Sequence, residues 1–181
     1  MGLFGLLRRD PHERAGCRLY AAAVAAARDP YLYTVVGVPD TLDGRFDLVG
    51  LHVYLAIRRL QGEPPCGPAM AQSVFDAMFN DMDVNLREMG VGDLSVGGKV
   101  RVMWEAFHGR ALAYGRALDA DDDAPLKAAL ARNVWRGAEA GAGPARLAII
   151  VRRQDAHLGR QRLAAGEVEF LPAAVAAESS P

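Results

Sequence analysis

Apolar residues recur every four positions through the middle of the chain, where Met70, Val74, Met78, Met82 and Leu86 form one stripe with Phe75 and Phe79 beside it. That period predicts an amphipathic helix. The polar positions are as regular: Asp76, Asn80, Asp83 and Arg87 make one ladder, and Asp81, Asn85 and Glu88 a second, on the side away from the stripe. Gly90 and Gly92 are the expected stop, and Asp93 with Ser95 the expected start of the next helix.

The same reading extends along the chain. His12 to Arg28 is an Ala-rich helix carrying Leu19 and Val24, ended by Asp29-Pro30 because a residue before proline is pushed out of the helical region. Tyr31 to Val36 reads as a short helix, since a strand there has no partner. Asp40 or Thr41 caps a helix reaching about Leu60, with Leu42, Phe46, Val49, Val53, Ile57 and Leu60 expected toward the core and His52 next to that stripe. Val96, Val100, Met103, Phe107, Ala111, Tyr114 and Leu118 mark a long helix, and Pro125 opens another with Leu126, Leu130 and Val134. Gly137 to Pro144 is a small-residue linker, Ala145 to Leu163 a last helix, and the terminal AAVAAESSP a frayed end. The expected fold is an all-α, single-domain bundle of six or seven helices. Its expected divisions are an apolar and basic tail at residues 1–10, a helical domain at 11–164 and a C-terminal tail at 165–181.

Composition narrows the setting. With 181 residues, 51% of them hydrophobic, the chain can bury a real core. Cys17 and Cys66 lie far apart outside any CxxC, which argues against a disulfide frame or zinc site and for a reduced, cytoplasmic compartment. Nothing approaches the roughly 18 consecutive apolar residues of a membrane span. The N-terminal GLFGLLRR instead suggests peripheral contact with the inner face of the cytoplasmic membrane, Leu3, Phe4, Leu6 and Leu7 at the apolar boundary and Arg8 and Arg9 at the headgroups. The competing reading folds that tail back onto the core. Charge is uneven: residues 40–93 hold four Arg against nine acids, a balance of −5, whereas residues 146–162 hold five Arg against Asp155, a balance of +4. Neither stretch has the continuous basic excess with interleaved aromatics of a nucleic-acid binder.

Three constellations test for catalysis. Glu105 and His108 form one Glu-x-x-His, but a di-iron bundle needs two plus two further glutamates. The carboxylate pairs Asp76/Asp83 and Asp81/Glu88 lack the apolar pocket that would separate their pKa values. Gly90, Gly92, Gly97 and Gly98 with Lys99 match no phosphate-loop spacing. The reading is therefore a non-enzyme without metal or cofactor, against an alternative, a metal- or cofactor-dependent bundle enzyme, for which only Glu105/His108 and the acidic helix speak.

The runs GVPDTLDGRFDLVGLHVYLAIRRL, VFDAMFNDMDVNLREMGVGD and FHGRALAYGRAL, ending near ARNVW, resemble the ubiquinol–cytochrome c chaperone family over about Tyr31 to Trp135. The resemblance implies a non-enzymatic helical assembly factor for ubiquinol:cytochrome c oxidoreductase, respiratory complex III. It further implies cytochrome b or another complex III component as partner, with a small co-chaperone and ribosome contact in mitochondrial members. The bias of 19 Arg to two Lys, with 32 Ala, fits a GC-rich bacterial genome. Asp40, Thr41, Gly44, Arg45, Phe46, His52, Asp76, Asp81, Asp83, Leu86, Arg87, Glu88, Gly90, Gly92, Asp93, Arg110 and Tyr114 stand at the motif positions. Of these, Asp40, Arg45, His52, Asp76, Asp81, Asp83, Arg87, Glu88, Asp93 and Arg110 are the candidate partner-binding residues. Each has a structural reading beside the binding one: Asp40 and Asp93 as caps, Arg45 and Arg87 as ion-pair partners.

Overall fold

The computed structural model describes residues 11–178, so the tail at residues 1–10, with the membrane-contact set Leu3, Phe4, Leu6, Leu7, Arg8 and Arg9, lies outside the described residues. The chain is all-α, and among the described residues there is no strand.

α1 (Pro11–Ala27) buries Ala15, Leu19, Ala23 and Ala27, one small-residue stripe at a spacing of four. It lies on α4 (Gly67–Glu88) so closely that a Cβ on Gly16 would stand 2.5 Å from the Cβ of Ser73. α4 buries Met70, Val74, Met78 and Met82, as its period predicts, and leaves its polar ladders outside. It ends in a Schellman turn: Gly90, at φ 81°, donates to the Arg87 carbonyl and Val91 to that of Leu86. α2 (Pro30–Thr34) is the short helix expected after α1. Asp29 caps it, accepting from the Tyr31 amide at 2.9 Å.

α3 (Leu42–Gln61) starts at Thr41, whose hydroxyl accepts from the Gly44 amide at 3.1 Å. Its expected core stripe is buried at Val53 and Leu60 and corrected toward its N-terminal end. Leu48, Leu51, Val53, Leu55, Ala56 and Leu60 are buried around much of its circumference, because α3 packs against α1, α4, α5 and α7. A helix surrounded by neighbours needs no single face. Leu42 is instead 71% exposed, and Phe46 and Val49 are half-buried.

α5 (Asp93–Leu118) returns along α4, burying Phe107, Tyr114, Ala117 and Leu118 in its second half but only Val96 in its first. α6 (Ala124–Leu130) continues into a π-helical turn, Ala131–Trp135, and stops at Arg136, a non-glycine residue in the left-handed region at φ 51°. α7 spans Gly143–Leu158, so the expected linker and last helix both shift toward the N-terminus. After Leu158 the chain turns through a 3₁₀ segment, Leu163–Ala165, whose first amides donate to the Glu63 carboxylate at 3.0 Å each.

The C-terminal part to Glu178 is not a frayed tail. Residues 173–177 form α8, with Ala173 and Ala176 buried. Asp29 accepts from the Ala173 amide at 2.8 Å, and the Gln154 side chain bonds both ways to the Leu171 backbone. Phe170 lies edge-on to His52, with ring centroids 5.5 Å apart.

Candidate functional site

The apolar positions that α3 does not bury and the unburied first half of α5 open onto the same space. There α1, α3, α4 and α5 enclose a groove of about 910 Å³. Its floor and walls carry Leu42, Phe46 and Val49 from α3, Met82, Leu86 and Met89 at the end of α4, and Val102, Met103 and Ala106 from α5. Met89 is 53% exposed and Val102 64% exposed. The lower half of the methionine stripe is thus half core and half lining.

Charge gathers around this apolar surface. Among the described residues, Arg28, Arg45, Lys99, Arg110 and Arg136 line the groove with only Asp43 and Asp81, five cations against two acids for a balance of +3. This reverses the sign of the acidic middle of the sequence, because α4 turns Asp76, Asp83 and Glu88 away while α1, α5 and the turn after α6 bring their cations in.

A buried network fixes one end. Asp47 has no exposed side-chain surface, yet holds Arg110 at 2.5 Å and Arg136 at 3.0 Å, and Arg136 also reaches Asp43 at 2.5 Å. Burial pushes the Asp47 carboxyl up to about 6, against the pull of both guanidiniums. The pairing ties α3 to α5 and to the end of the π-turn. It accompanies the left-handed backbone of Arg136, a conformation costly for a residue with a Cβ. Arg110 also lies 5.7 Å from the centroid of Phe46.

The candidate partner-binding residues divide among three places. Arg45, Asp81 and Arg110 line the groove; Asp40 holds Arg45 at 2.6 Å, and Asp81 accepts from the Tyr20 hydroxyl at 2.6 Å. Burial and then Asp81 raise the Tyr20 phenol above its ordinary range, while Arg45 draws the Asp40 carboxyl below its own. Asp76, Asp83, Arg87, Glu88 and Asp93 are elsewhere, on the outer side of α4 and at the α4–α5 turn. Asp76 accepts from Gln72 at 2.7 Å, and Arg87 pairs with both Asp83 and Asp93. Asp93 follows the cap position, which Gly92 fills, so it acts through Arg87 and as a first-turn acid. His52 is the correction in this set. It is 3% exposed, its ring nitrogen Nδ1 donates to the Leu48 carbonyl at 2.8 Å, and burial holds its pKa below the ordinary value, so it offers no contact surface.

The outer ladder carries a direct expectation. Asp83 and Arg87 are 38% and 47% exposed, so Asp83→Asn should change stability by no more than about 0.5 kcal/mol, the scale of an exposed i,i+4 pair. Urea unfolding checks it; a loss above about 2 kcal/mol would show that the ladder holds the α4–α5 turn together.

Sequence reasoning missed Asp47, Arg136, Arg28, Lys99 and the exposed apolar lining. Asp47 did leave a signal, a lone carboxylate inside the apolar run RFDLVGL that must find a cation once buried. Arg136 left none, because its role depends on where the π-turn ends. The Glu105/His108 pair does not converge: Glu105 accepts from Arg101 at 3.0 Å, while His108 bonds the Trp104 carbonyl and lies over the indole. Among the described residues no group of three or more His, Cys, Asp or Glu could hold a metal ion, and no helix is long and apolar enough to cross a membrane.

Comparison with known proteins agrees with this architecture. The crystal structure of the Cbp3 homolog from Brucella abortus matches with a TM-score of 0.80 and 36% identity, covering 90% of this chain and 92% of that one. Ubiquinol-cytochrome-c reductase complex assembly factor 1 of Xenopus laevis is 28% identical over 120 residues, 66% of this chain and 60% of that protein. The Mus musculus assembly factor 1 is 27% identical over 165 residues, 87% of this chain and 55% of its own length. The chain thus spans between half and two thirds of the length of the curated relatives it matches. The ubiquinol-cytochrome C chaperone family model matches residues 34–168, from the short helix α2 to the turn after α7, and with most of its length so matched the chain belongs to the ubiquinol–cytochrome c chaperone family.

Proposed function

We propose that this chain is a non-enzymatic assembly chaperone of ubiquinol:cytochrome c oxidoreductase, and that its groove holds a segment of cytochrome b before that subunit joins the complex. The observation that carries the reading is the groove itself, an apolar channel with methionine on two walls. Unbranched thioethers repack around differing shapes, which suits a surface that must hold and then release a client. The strongly shifted carboxylate beside it, Asp47, is engaged by two arginines and has no open position for substrate. Family membership supplies the class of partner. The outer face of α4, with Asp76, Asp83 and Glu88, is left for a small co-chaperone, and the N-terminal apolar and basic residues for peripheral contact with the inner face of the cytoplasmic membrane.

The test uses Met89→Asp with Val102→Asp in the full chain. Both side chains are more than half exposed, so melting should stay near wild type while cytochrome b recovered from a membrane-containing lysate falls by at least about tenfold, a 1.4 kcal/mol change in binding. Undiminished recovery by a folded variant would remove the groove from the function.

A further inference from the structure

We infer that the groove's occupant is a single apolar α-helix of about four turns, lying along α5 in close contact with Gly98 and carrying an acidic side chain to Arg28 or Lys99; this rests on the reading of the groove as the client site. The walls are helices, α1, α3, α4 and α5, so the groove has no sheet edge to receive an extended segment. Laid in an apolar channel, an extended chain would leave its polar backbone unsatisfied, whereas a helix brings its hydrogen bonds with it.

Length agrees. The α5 wall runs from Ser95 to Arg110, about 22 Å at 1.5 Å per residue, the length of a four-turn helix.

A glycine inside a helix is costly relative to alanine, and packing normally explains it. At Gly98 it does not: a Cβ added there would meet nothing within 4 Å. Ser95, Gly98 and Ala106 all line the groove, so the α5 wall is low where another helix would approach.

Within the groove Arg45 is engaged by Asp40, Arg110 by Asp47 and Arg136 by Asp43 and Asp47. The side chains of Arg28, just past the end of α1, and Lys99 on the α5 wall are in no side-chain hydrogen bond or ion pair among the described residues. An apolar occupant with a carboxylate at one edge complements both, and a basic one is repelled.

Fluorescein-labelled synthetic Leu/Ala peptides of about 16 residues test this with the full chain, by anisotropy. One carries two Glu on one edge, one has Gln at the same places, and one is the Glu peptide with a central Pro. The Glu helix should bind at least about tenfold more tightly than the other two, and Gly98→Phe, whose ring enters open space and spares the fold, should remove that binding. Reversal of both cations, Arg28→Glu with Lys99→Glu, should abolish the preference for Glu over Gln. Equal binding of the Pro peptide would overturn the helical occupant, and equal binding of Glu and Gln peptides the acidic one. If the Met89/Val102 variant loses cytochrome b while wild type does not discriminate among peptides, the helix inference fails and the client reading stands. If the peptides discriminate but neither that variant nor Gly98→Phe loses cytochrome b, the helix inference stands and the cytochrome b reading fails.

Discussion

Gly16→Ala should destabilise the protein by about 2 kcal/mol, the middle of the range for overpacking a tight contact, although the same change in an open helix interior stabilises by up to about 1 kcal/mol. The methyl group would stand 2.5 Å from the Ser73 Cβ, 2.7 Å from its carbonyl carbon and 2.9 Å from its carbonyl oxygen. Two of those atoms are backbone, so no rotamer change relieves the overlap and α1 must lift from α4. That contact also aligns the Ala15, Leu19, Ala23 stripe and holds Tyr20 against Asp81 at the groove. Gly98→Ala is the internal control, with an added Cβ that meets nothing within 4 Å, and its expected sign is opposite. Urea unfolding of both variants decides the matter: a stabilising Gly16→Ala would mean that the α1–α4 spacing is not set by this glycine.

The contrast between the two glycines shows what a sequence can disclose. Where a helix has one covered side, period and burial agree: the α4 stripe from Met70 to Met82 is buried and its polar ladders are outside. Where a helix is covered on several sides, period alone misleads. In α3 the apolar residues cover so much of the circumference that any chosen stripe looks like the core, and the one at Leu42, Phe46 and Val49 lines the groove. The C-terminal AAVAA is short and weakly apolar, and its helix depends on distant partners such as Asp29, 144 residues away. Of the two polar ladders, Asp76, Asn80, Asp83 and Arg87 stand away from the groove, whereas Asp81 and Asn85 line it, a division that the regular spacing does not disclose. The five cations of the groove come from the end of α1, from α3, from two separated positions on α5 and from the turn after α6, so no local pattern could assemble them.

Arg110→Met should cost about 3–5 kcal/mol at pH 7.5, the scale of breaking a buried ion pair, and that loss should shrink on acidification. Methionine keeps an unbranched apolar side chain and removes the guanidinium, which is held 2.5 Å from Asp47 and lies 5.7 Å from the Phe46 ring centroid. Arg136 then compensates the buried carboxylate alone, which moves the folded pKa of Asp47 further above about 6. Because this folded value is raised above the ordinary 3.8, the folded state holds the proton more tightly than the unfolded chain. Between about pH 6 and pH 4 the folded carboxyl is neutral and the unfolded one ionised, so stability rises as pH falls through that window. The gain is larger for the variant, whose carboxylate lacks a partner, and the gap to wild type should therefore narrow between pH 7.5 and pH 5.5. Adding Asp47→Asn removes the ionisable group and should make the remaining gap independent of pH. Urea unfolding at the two pH values measures all of this, and a gap of equal size at both would mean that the loss comes from packing against Phe46 rather than from the buried charge.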